Sequence, residues 1–345
     1  MDAKRNYAYP LIAVAALAVV ALLYQLWPAR QSEITISGSS TVYPLTLQAI
    51  KAFQADGRNA EVRFQLQKSG TSAGFREFCR GAIPLTNASR AISAEELKAC
   101  SSNDISFIEL PIAFDAITVV VNPANTWASE ISPSQLSLLW NRNAQGRINA
   151  WSQVGQSWPE QPIKLCGPGK DSGTFDYFNK VINGTAANSR TDYFASENDQ
   201  DLVKCVEDSP NSLGYFGYSY YDRNREGLKA LAIIGSNGVV SPSLETVQDE
   251  SYVPLSRPLF IYVNRQSLRD SEALRKFLNY NLTHGQRLAS LAGSIPLPAR
   301  AYLLAEQKLY AEIPGTSFGG DLPVGLSIGE TIGRSFDTIK KPAYR

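Results

Sequence analysis

The sequence predicts an α/β protein with two domains. Strand-like and helix-like segments alternate along its 345 residues, and that order is typical of mainly parallel sheets covered by helices. The β-branched run at 116–121 is typical of a strand buried on both faces. Without a predicted export signal at 1–32, about 310 residues remain, which is enough for two separate hydrophobic cores.

The individual elements follow from short apolar runs and from helix-start signals. Strands are predicted at 34–37, 62–67, 105–111, 116–121, 213–218 and 259–263. Helices are predicted at 43–53, 75–80, 133–140, 175–181, 271–282 and 303–310. Pro133 suits the first turn of its helix, because that position does not need a backbone N–H.

Three short segments are rich in Gly, Ser and Thr, and each lies between a predicted strand and a predicted helix. They are Ser37-Gly38-Ser39-Ser40-Thr41, Ser69-Gly70-Thr71-Ser72-Ala73-Gly74 and Asp171-Ser172-Gly173-Thr174. Free backbone N–H groups and a helix dipole meet at such a turn, and the hydroxyls add uncharged donors. One turn would be ordinary helix capping. Three turns at strand ends predict a shared oxyanion pocket between the two domains.

The N-terminus has the layout of an export signal. Lys4 and Arg5 precede an apolar run of about 17 residues from Leu11 to Trp27, which is at the short limit for a spanning helix. No small-residue cleavage site follows, and no Cys lies near the run, which excludes a lipoprotein anchor. We expect a cleaved signal peptide or, as the favoured alternative, an uncleaved signal-anchor that tethers a periplasmic or extracytoplasmic protein to the membrane.

The four cysteines agree with an oxidising compartment. They allow three pairings, and the sequence alone does not choose among them. Sequential pairing, Cys79 with Cys100 and Cys166 with Cys205, closes the shortest loops and is the pairing that we expect. Four buried free thiols are the alternative.

Composition argues against several classes of partner. The net charge is +1 and Lys and Arg form no cluster, so nothing indicates nucleic-acid binding. The chain has one His and no Cys-x-x-Cys spacing, so neither a metal site nor another cofactor is expected.

The order of these motifs resembles the phosphate-binding proteins of ABC importers, the PstS-like periplasmic family. The matching segments are 37–44, 70–74, 88–90, 110–122, 136–151, 171–175 and 214–218. The resemblance covers about 33–320. It implies a two-lobed periplasmic-binding-protein fold whose hinged lobes close on one phosphate in the cleft between them. Lobe I would comprise 33–115 and 255–325, lobe II 116–254, and a loose tail 326–345.

Site residues carried over by position come from both lobes. Lobe I would contribute Ser40, Thr41, Thr71 and, as a weaker candidate, Ser72; lobe II would contribute Ser172, Gly173 and Thr174.

Two positions depart from the best-known pattern of this family. Arg90 stands where that pattern has an Asp that accepts the phosphate's proton, and Gly167-Pro168-Gly169 stands where it has an Arg. Arg90 is therefore predicted to be the bidentate clamp. Asp171 becomes the predicted acceptor for a proton on the ligand, or else only the cap of the following helix. Phosphate remains the leading ligand, and the argument against sulfate or another tetrahedral oxyanion is weaker.

A serine hydrolase is the enzyme alternative, because Gly70-Thr71-Ser72-Ala73-Gly74 also fits G-x-S-x-G. Its base would be His284, but this only His precedes a Gly at a predicted helix end. A hydrolase would also leave the other two turns unexplained. We therefore expect a non-enzymatic, monomeric phosphate receptor that delivers phosphate to the permease and ATPase of an ABC importer. A membrane-tethered phosphate sensor or scavenger would use the same pocket.

Overall fold

A mixed sheet of nine strands runs through the described part of the chain, which in this computed structural model is residues 33–321 and 323–340. The predicted signal at 1–32 lies outside these residues. No helix of the described residues combines the length and the apolar character that a membrane span requires.

The first part of the chain alternates strands and helices, as predicted. Its strands are β1 (Glu33–Gly38), β2 (Arg63–Leu66), β3 (Leu85–Ala88) and β4 (Phe107–Val121). Its helices are α1 (Tyr43–Ala55), α2 (Thr71–Phe78) and α3 (Ala94–Ser102). Strand β1 pairs in parallel with β2 and with β3. The carboxyl ends of these strands therefore share one edge of the sheet.

The middle of the chain adds a second group of strands. Its strands are β5 (Glu130–Ile131), β6 (Lys164–Pro168), β7 (Phe194–Ser196), β8 (Ser212–Gly217), β9 (Lys229–Ala230), β10 (Ala232–Gly235) and β11 (Gly238–Val240). Its helices are α4 (Pro133–Trp140), α5 (Gly173–Asn183), α6 (Asp199–Glu207), α7 (Tyr218–Arg223) and α8 (Leu244–Gln248). Strand β6 lies between β7 and β8 and is parallel to both. Strands β5, β10 and β11 form a separate small sheet.

The chain then returns to the first part through one more strand and a series of helices. These elements are β12 (Ser256–Asn264), α9 (Arg265–Asp270), α10 (Glu272–Thr283), α11 (Gly285–Leu291), α12 (Ala299–Tyr310) and α13 (Ile328–Lys340). Strand β12 lies between β3 and β4 and is antiparallel to both. The sheet is therefore mixed, whereas the alternating order predicted mainly parallel pairing.

Strand β4 joins the two parts of the sheet. It pairs with β12 between Phe107 and Ala116, and with β8 between Ile117 and Val121. The sequence predicted two separate strands here, at 105–111 and 116–121. In the structure one buried fifteen-residue strand crosses both parts. Its pairing with β12 shifts register between Leu259 and Phe260, where Ile112 beside Pro111 is the extra residue of β4.

The hydrophobic core follows this sheet into both parts. In the first part, Phe53 packs edge-on against Phe277 with ring centroids 5.5 Å apart. In the second, Phe178 stacks on Tyr215 at 3.8 Å, and Trp140 lies edge-on to Tyr215 at 4.8 Å. These rings belong to helices α1, α4, α5 and α10 and to strand β8, so their packing holds the helices against the sheet.

The C-terminal segment corrects one prediction. The loose tail predicted for 326–345 contains helix α13, so the prediction is wrong for 328–340, and 341–345 lie outside the described residues. The physical reason is a capping box, because Glu330 N donates to Ser327 Oγ at 3.0 Å and Ser327 N donates to a Glu330 carboxylate oxygen at 2.9 Å. Thr331 is fully buried, which fixes the helix on the rest of the protein.

The segment before α13 contacts both parts of the molecule. Ser317 N donates to Glu109 Oε1 of β4 at 2.8 Å. Gly325 N donates to the hydroxyl of Tyr177 in α5 at 2.9 Å. We call residues 316–321 and 323–325 the C-terminal strap.

Both expected disulfides are confirmed. Cys79 at the end of α2 is bonded to Cys100 in α3, and Cys166 in β6 is bonded to Cys205 in α6. The described residues contain no free cysteine. The first bridge fixes α3 beside α2, which begins at the second hydroxyl-rich turn. The second fixes α6 beside β6, which ends just before the third turn.

Replacing either cysteine pair by two serines should lower the free energy of unfolding by about 3–4 kcal/mol, because the bridges close loops with separations of 21 and 39 residues. Urea unfolding of the two double variants measures this. Full reduction of the parent serves as the control and should reproduce the larger of the two losses or exceed it. An unchanged unfolding midpoint in a double-serine variant would contradict the prediction.

Candidate anion-binding site

The three hydroxyl-rich turns meet where the two parts of the chain face each other. Thr41, just before α1, and Thr174, at the start of α5, are buried, and their Oγ1 atoms lie 3.1 Å apart. Thr71 begins α2 and accepts a hydrogen bond from Ser89 N at 3.2 Å. A Cβ added to Gly173 would lie 2.6 Å from Thr71 Oγ1. Donors predicted from three separate turns are thus brought together.

The close approach of the second and third turns depends on glycine. Gly70 has a φ of +89°, which a residue with a side chain rarely adopts. A Cβ at this position would lie 2.5 Å from the Asp171 carbonyl oxygen. The same carbonyl accepts a hydrogen bond from Ser72 N at 2.9 Å. The backbones of the two turns are therefore in direct contact.

Ser40 contacts Asp199, a buried acidic residue that the sequence analysis missed. Its Oγ accepts a hydrogen bond from Asp199 N at 3.2 Å, and its carbonyl accepts one from the Tyr220 hydroxyl at 3.0 Å. The Thr41 hydroxyl donates to Asp199 Oδ2 at 3.5 Å. Burial raises the pKa of Asp199 to about 6. Asp199 follows an Asn N-cap, which in sequence reads only as a helix start.

Arg90 lies beside the cluster, and its five N–H groups all have protein acceptors. The guanidinium binds both Glu96 carboxylate oxygens at 2.7 Å and Asp176 Oδ2 at 2.7 Å. It also donates to Ser72 Oγ at 2.8 Å and to the Ala91 carbonyl at 3.1 Å. Because Asp176 belongs to α5, this ion-pair network joins the two parts of the chain. The assignment of Arg90 as the anion clamp stays a prediction.

Asp171 is half-exposed and forms a bidentate ion pair with Arg76 of α2, with distances of 2.7 and 2.8 Å. The Arg76 guanidinium lowers the pKa of the Asp171 carboxyl. The alternative that Asp171 only caps the following helix is wrong, because Ser172 is the N-cap and its Oγ accepts from Thr174 N at 3.1 Å. The proposed reading of a ligand proton by Asp171 stays a prediction.

Arg257 is the second residue that the sequence analysis missed. Its side chain is fully buried, and its Nε and Nη2 donate to Asp115 Oδ2 at 3.2 and 2.9 Å. Nη2 also donates to Thr174 Oγ1 at 2.8 Å and to Thr41 Oγ1 at 3.4 Å. Nη1 donates to the Gly173 carbonyl at 3.1 Å. One guanidinium thus contacts hydroxyls from both sides of the cluster.

A sequence signal for this ion pair existed. Asp115 is one of two carboxylates, with Glu109, within the apolar run of β4, and Arg257 precedes Pro258 at the start of another apolar strand. The predicted strand began at Leu259, after the proline, so the arginine was left outside it. In the structure Arg257 and Asp115 are cross-strand neighbours in β12 and β4.

Ser72 and His284, the two residues of the hydrolase alternative, do not contact each other among the described contacts. Ser72 Oγ accepts from Arg90 and donates to Asp176 Oδ2 at 3.4 Å. His284 ends α10, and its ring packs against Tyr280 at 4.4 Å. Over 33–321 and 323–340 no three His, Cys, Asp or Glu side chains are grouped closely enough to hold a metal ion.

The raised pKa of Asp199 predicts a pH-dependent stability difference. A carboxyl whose pKa rises from 3.8 to about 6 on folding stabilises the folded state at low pH. That stabilisation is lost as the pH rises through 6. Asp199→Asn should therefore gain stability relative to the parent between pH 4 and pH 7, by about 2–3 kcal/mol at most. Urea unfolding in phosphate-free buffer measures it, and a pH-independent difference would contradict the pKa shift.

Comparison with known proteins identifies the family. Residues 25–284 match the PBP superfamily domain. Protein SphX of Synechocystis sp. is 43% identical over 306 residues, which is 88% of this chain and 90% of that protein. The phosphate-binding protein PstS of Staphylococcus haemolyticus is 34% identical over 268 residues, covering 77% of this chain and 81% of that protein.

Solved structures agree with the predicted fold. The crystal structure of a possible phosphate binding protein from Planctomyces limnophilus has a TM-score of 0.60 at 38% identity, covering 81% of this chain and 98% of that one. A phosphate-bound putative phosphate ABC transporter substrate-binding protein from Clostridium perfringens has a TM-score of 0.66 at 24% identity, over 77% and 100% of the two chains. The expected periplasmic-binding-protein fold is confirmed, and the chain belongs to the PBP superfamily, in the family of the SphX and PstS phosphate-binding proteins.

Proposed function

We propose that this chain is the extracytoplasmic receptor of an ABC phosphate importer and binds one phosphate ion between two lobes. The observation that carries the proposal is the meeting of the hydroxyl turns, with Thr41 Oγ1 3.1 Å from Thr174 Oγ1. Three turns that each precede a helix supply hydroxyl and backbone N–H donors at one buried point. The names of the relatives, phosphate-binding proteins, agree with this ligand.

The proposed contacts are those predicted from the sequence. They are Ser40, Thr41, Thr71 and Ser72 from lobe I, Ser172, Gly173 and Thr174 from lobe II, with Arg90 as cation and Asp171 as proton acceptor. In the closed arrangement, the hydroxyls bond to each other and to neighbouring protein groups. Phosphate would replace these bonds with stronger ones, because each hydroxyl would then donate to a charged acceptor.

The lobes in this proposal keep the predicted bounds, with 33–115 and 255–325 as lobe I and 116–254 as lobe II. The crossing of β4 near Ala116 and the start of β12 at Ser256 support these limits. The proposal also retains a monomer, an N-terminal segment that directs export or anchors the chain, and an importer permease and ATPase as partners. A membrane-tethered sensor or scavenger would share the pocket but not these partners.

Binding without catalysis is part of the proposal. Ser72 Oγ is held by Arg90 and Asp176, and the imidazole of His284 packs on Tyr280. A general base must reach the nucleophile within hydrogen-bonding distance, directly or through one water. The esterase activity of the parent, compared with that of His284→Ala, tests the alternative, and equal background rates are expected.

Isothermal titration of the purified chain with phosphate should show one ion bound per chain, with micromolar or tighter affinity, or about −8 kcal/mol. Several charge-assisted hydrogen bonds in a buried site supply this. Sulfate titrated under the same conditions is the matched comparison and should bind more weakly, because it carries no proton for a carboxylate to accept. No heat at millimolar phosphate would overturn the proposal.

Gly173→Ala should weaken phosphate binding by about tenfold or more, because its Cβ would lie 2.6 Å from Thr71 Oγ1 and 2.7 Å from Ser89 Oγ. The contact forms only when the lobes are closed, so the change should also enlarge the radius of gyration with phosphate present. Titration and small-angle scattering measure the two effects. Gly57→Ala, which meets nothing within 4 Å, is the control. Parent-like affinity and compactness in Gly173→Ala would contradict the proposed closure.

A further inference from the structure

Arg257 is a buried cation at the meeting point of the hydroxyl turns, and it lies on a strand that runs between the two parts of the chain. We propose that Arg257 is the main cation for the bound oxyanion and that its position on β12 links anion binding to the strands of the hinge. This inference rests on the proposed function, since it concerns the same site and the same class of ligand.

The hydrogen bonds of the two buried arginines separate their roles. Arg257 Nη2 already reaches Thr41 and Thr174, the two hydroxyls that face each other across the cleft. Nη1 donates to one acceptor, the Gly173 carbonyl, so one of its two N–H groups has no acceptor among the described contacts. Arg90 uses all five of its N–H groups on protein atoms. Arg257 can therefore donate to an anion without first giving up an ion pair.

The local charge also favours Arg257. Its direct ion-pair partner is one carboxylate, Asp115. The nearby Asp199 carboxyl, whose pKa is raised by burial to about 6, keeps this cluster free of net charge only while it is protonated.

Arg90 faces two carboxylates, Glu96 and Asp176, so that network has a formal charge of −1 when both are ionised. An anion that enters a buried site is repelled by net negative charge and is attracted to a cation that is paired with only one carboxylate. While Asp199 is protonated, the local charge therefore favours an anion on the Arg257 side of the hydroxyl cluster.

The position of the pair connects ligand and hinge. Arg257 and Asp115 are cross-strand neighbours one residue before β4 changes partner from β12 to β8. Asp115 Oδ1 also accepts from Tyr218 N at 2.9 Å, where β8 has passed into α7. A ligand bonded to the guanidinium therefore bears directly on the strands that must bend when the lobes separate. A cation on a lobe surface would not have this connection.

The test replaces the buried pair with neutral side chains of similar shape. Asp115→Asn combined with Arg257→Gln removes both charges together, and neutral replacement of a whole buried pair avoids leaving one charge unpaired. We expect phosphate affinity, measured by titration calorimetry on the full chain, to fall at least 100-fold. Arg257→Lys keeps a charge but not the planar fork, and should lose about five- to fiftyfold.

The matched control is a buried arginine pair outside the cleft. Arg190 is as buried as Arg90 and binds Asp192 at 2.6 Å in the second part of the chain. Arg190→Gln combined with Asp192→Asn should keep phosphate affinity within about threefold of the parent, since it removes charge but no proposed ligand contact. Arg90→Gln should lose less affinity than the Asp115→Asn, Arg257→Gln variant.

The outcomes are distinguishable. Failure of the parent to bind phosphate would overturn the proposed function itself. A phosphate affinity within threefold of the parent in the neutral-pair variant would overturn the role of Arg257 alone. If that variant does not fold, the same result in Arg257→Lys would overturn it. A larger loss in Arg90→Gln than in the neutral-pair variant would also overturn it and would support Arg90 as the clamp.

Discussion

The buried ion pair between Arg257 and Asp115 is the constraint on which the rest of the site depends. Removing two charges from water is costly, and the cost is offset only when the remaining hydrogen-bonding groups are satisfied. Tyr218 N, Thr174 Oγ1 and the Gly173 carbonyl provide most of those partners, and one N–H of Arg257 Nη1 has none among the described contacts. The pair therefore fixes not only two strands but also the starts of α5 and α7, and with them the third hydroxyl turn.

Around this pair, several further polar contacts join the two parts of the chain, and the exposed ones are weak. The Arg76–Asp171 pair lies at the surface, where an ion pair is worth about 0.2–1 kcal/mol and is weakened by salt. Lys68 Nζ donates to Asn198 Oδ1 at 3.0 Å on another side of the cleft. The buried Arg90–Asp176 ion pair also joins the two parts and costs more to break than these exposed contacts.

The sequence predicted the local features of the site well and the long-range ones poorly. The turns around Thr41, Thr71 and Thr174 were recognisable because a hydroxyl-rich turn between a strand and a helix consists of consecutive residues. The partner of Arg257 is 142 positions away, and no local pattern encodes which charges a sheet will bring together. Helix α13 was missed although its signals are local, because both its capping box and its apolar residues at 328, 332, 336 and 339 can be recognised in the sequence.

The C-terminal strap has a mechanical consequence. Two strands alone would allow one lobe to both bend and twist relative to the other. The strap adds a third attachment, because Ser317 is held by Glu109 in the first part and Gly325 by Tyr177 in the second. A third attachment restrains twisting of one part against the other. A receptor restricted in this way samples fewer open arrangements, so less conformational entropy is lost each time the lobes close.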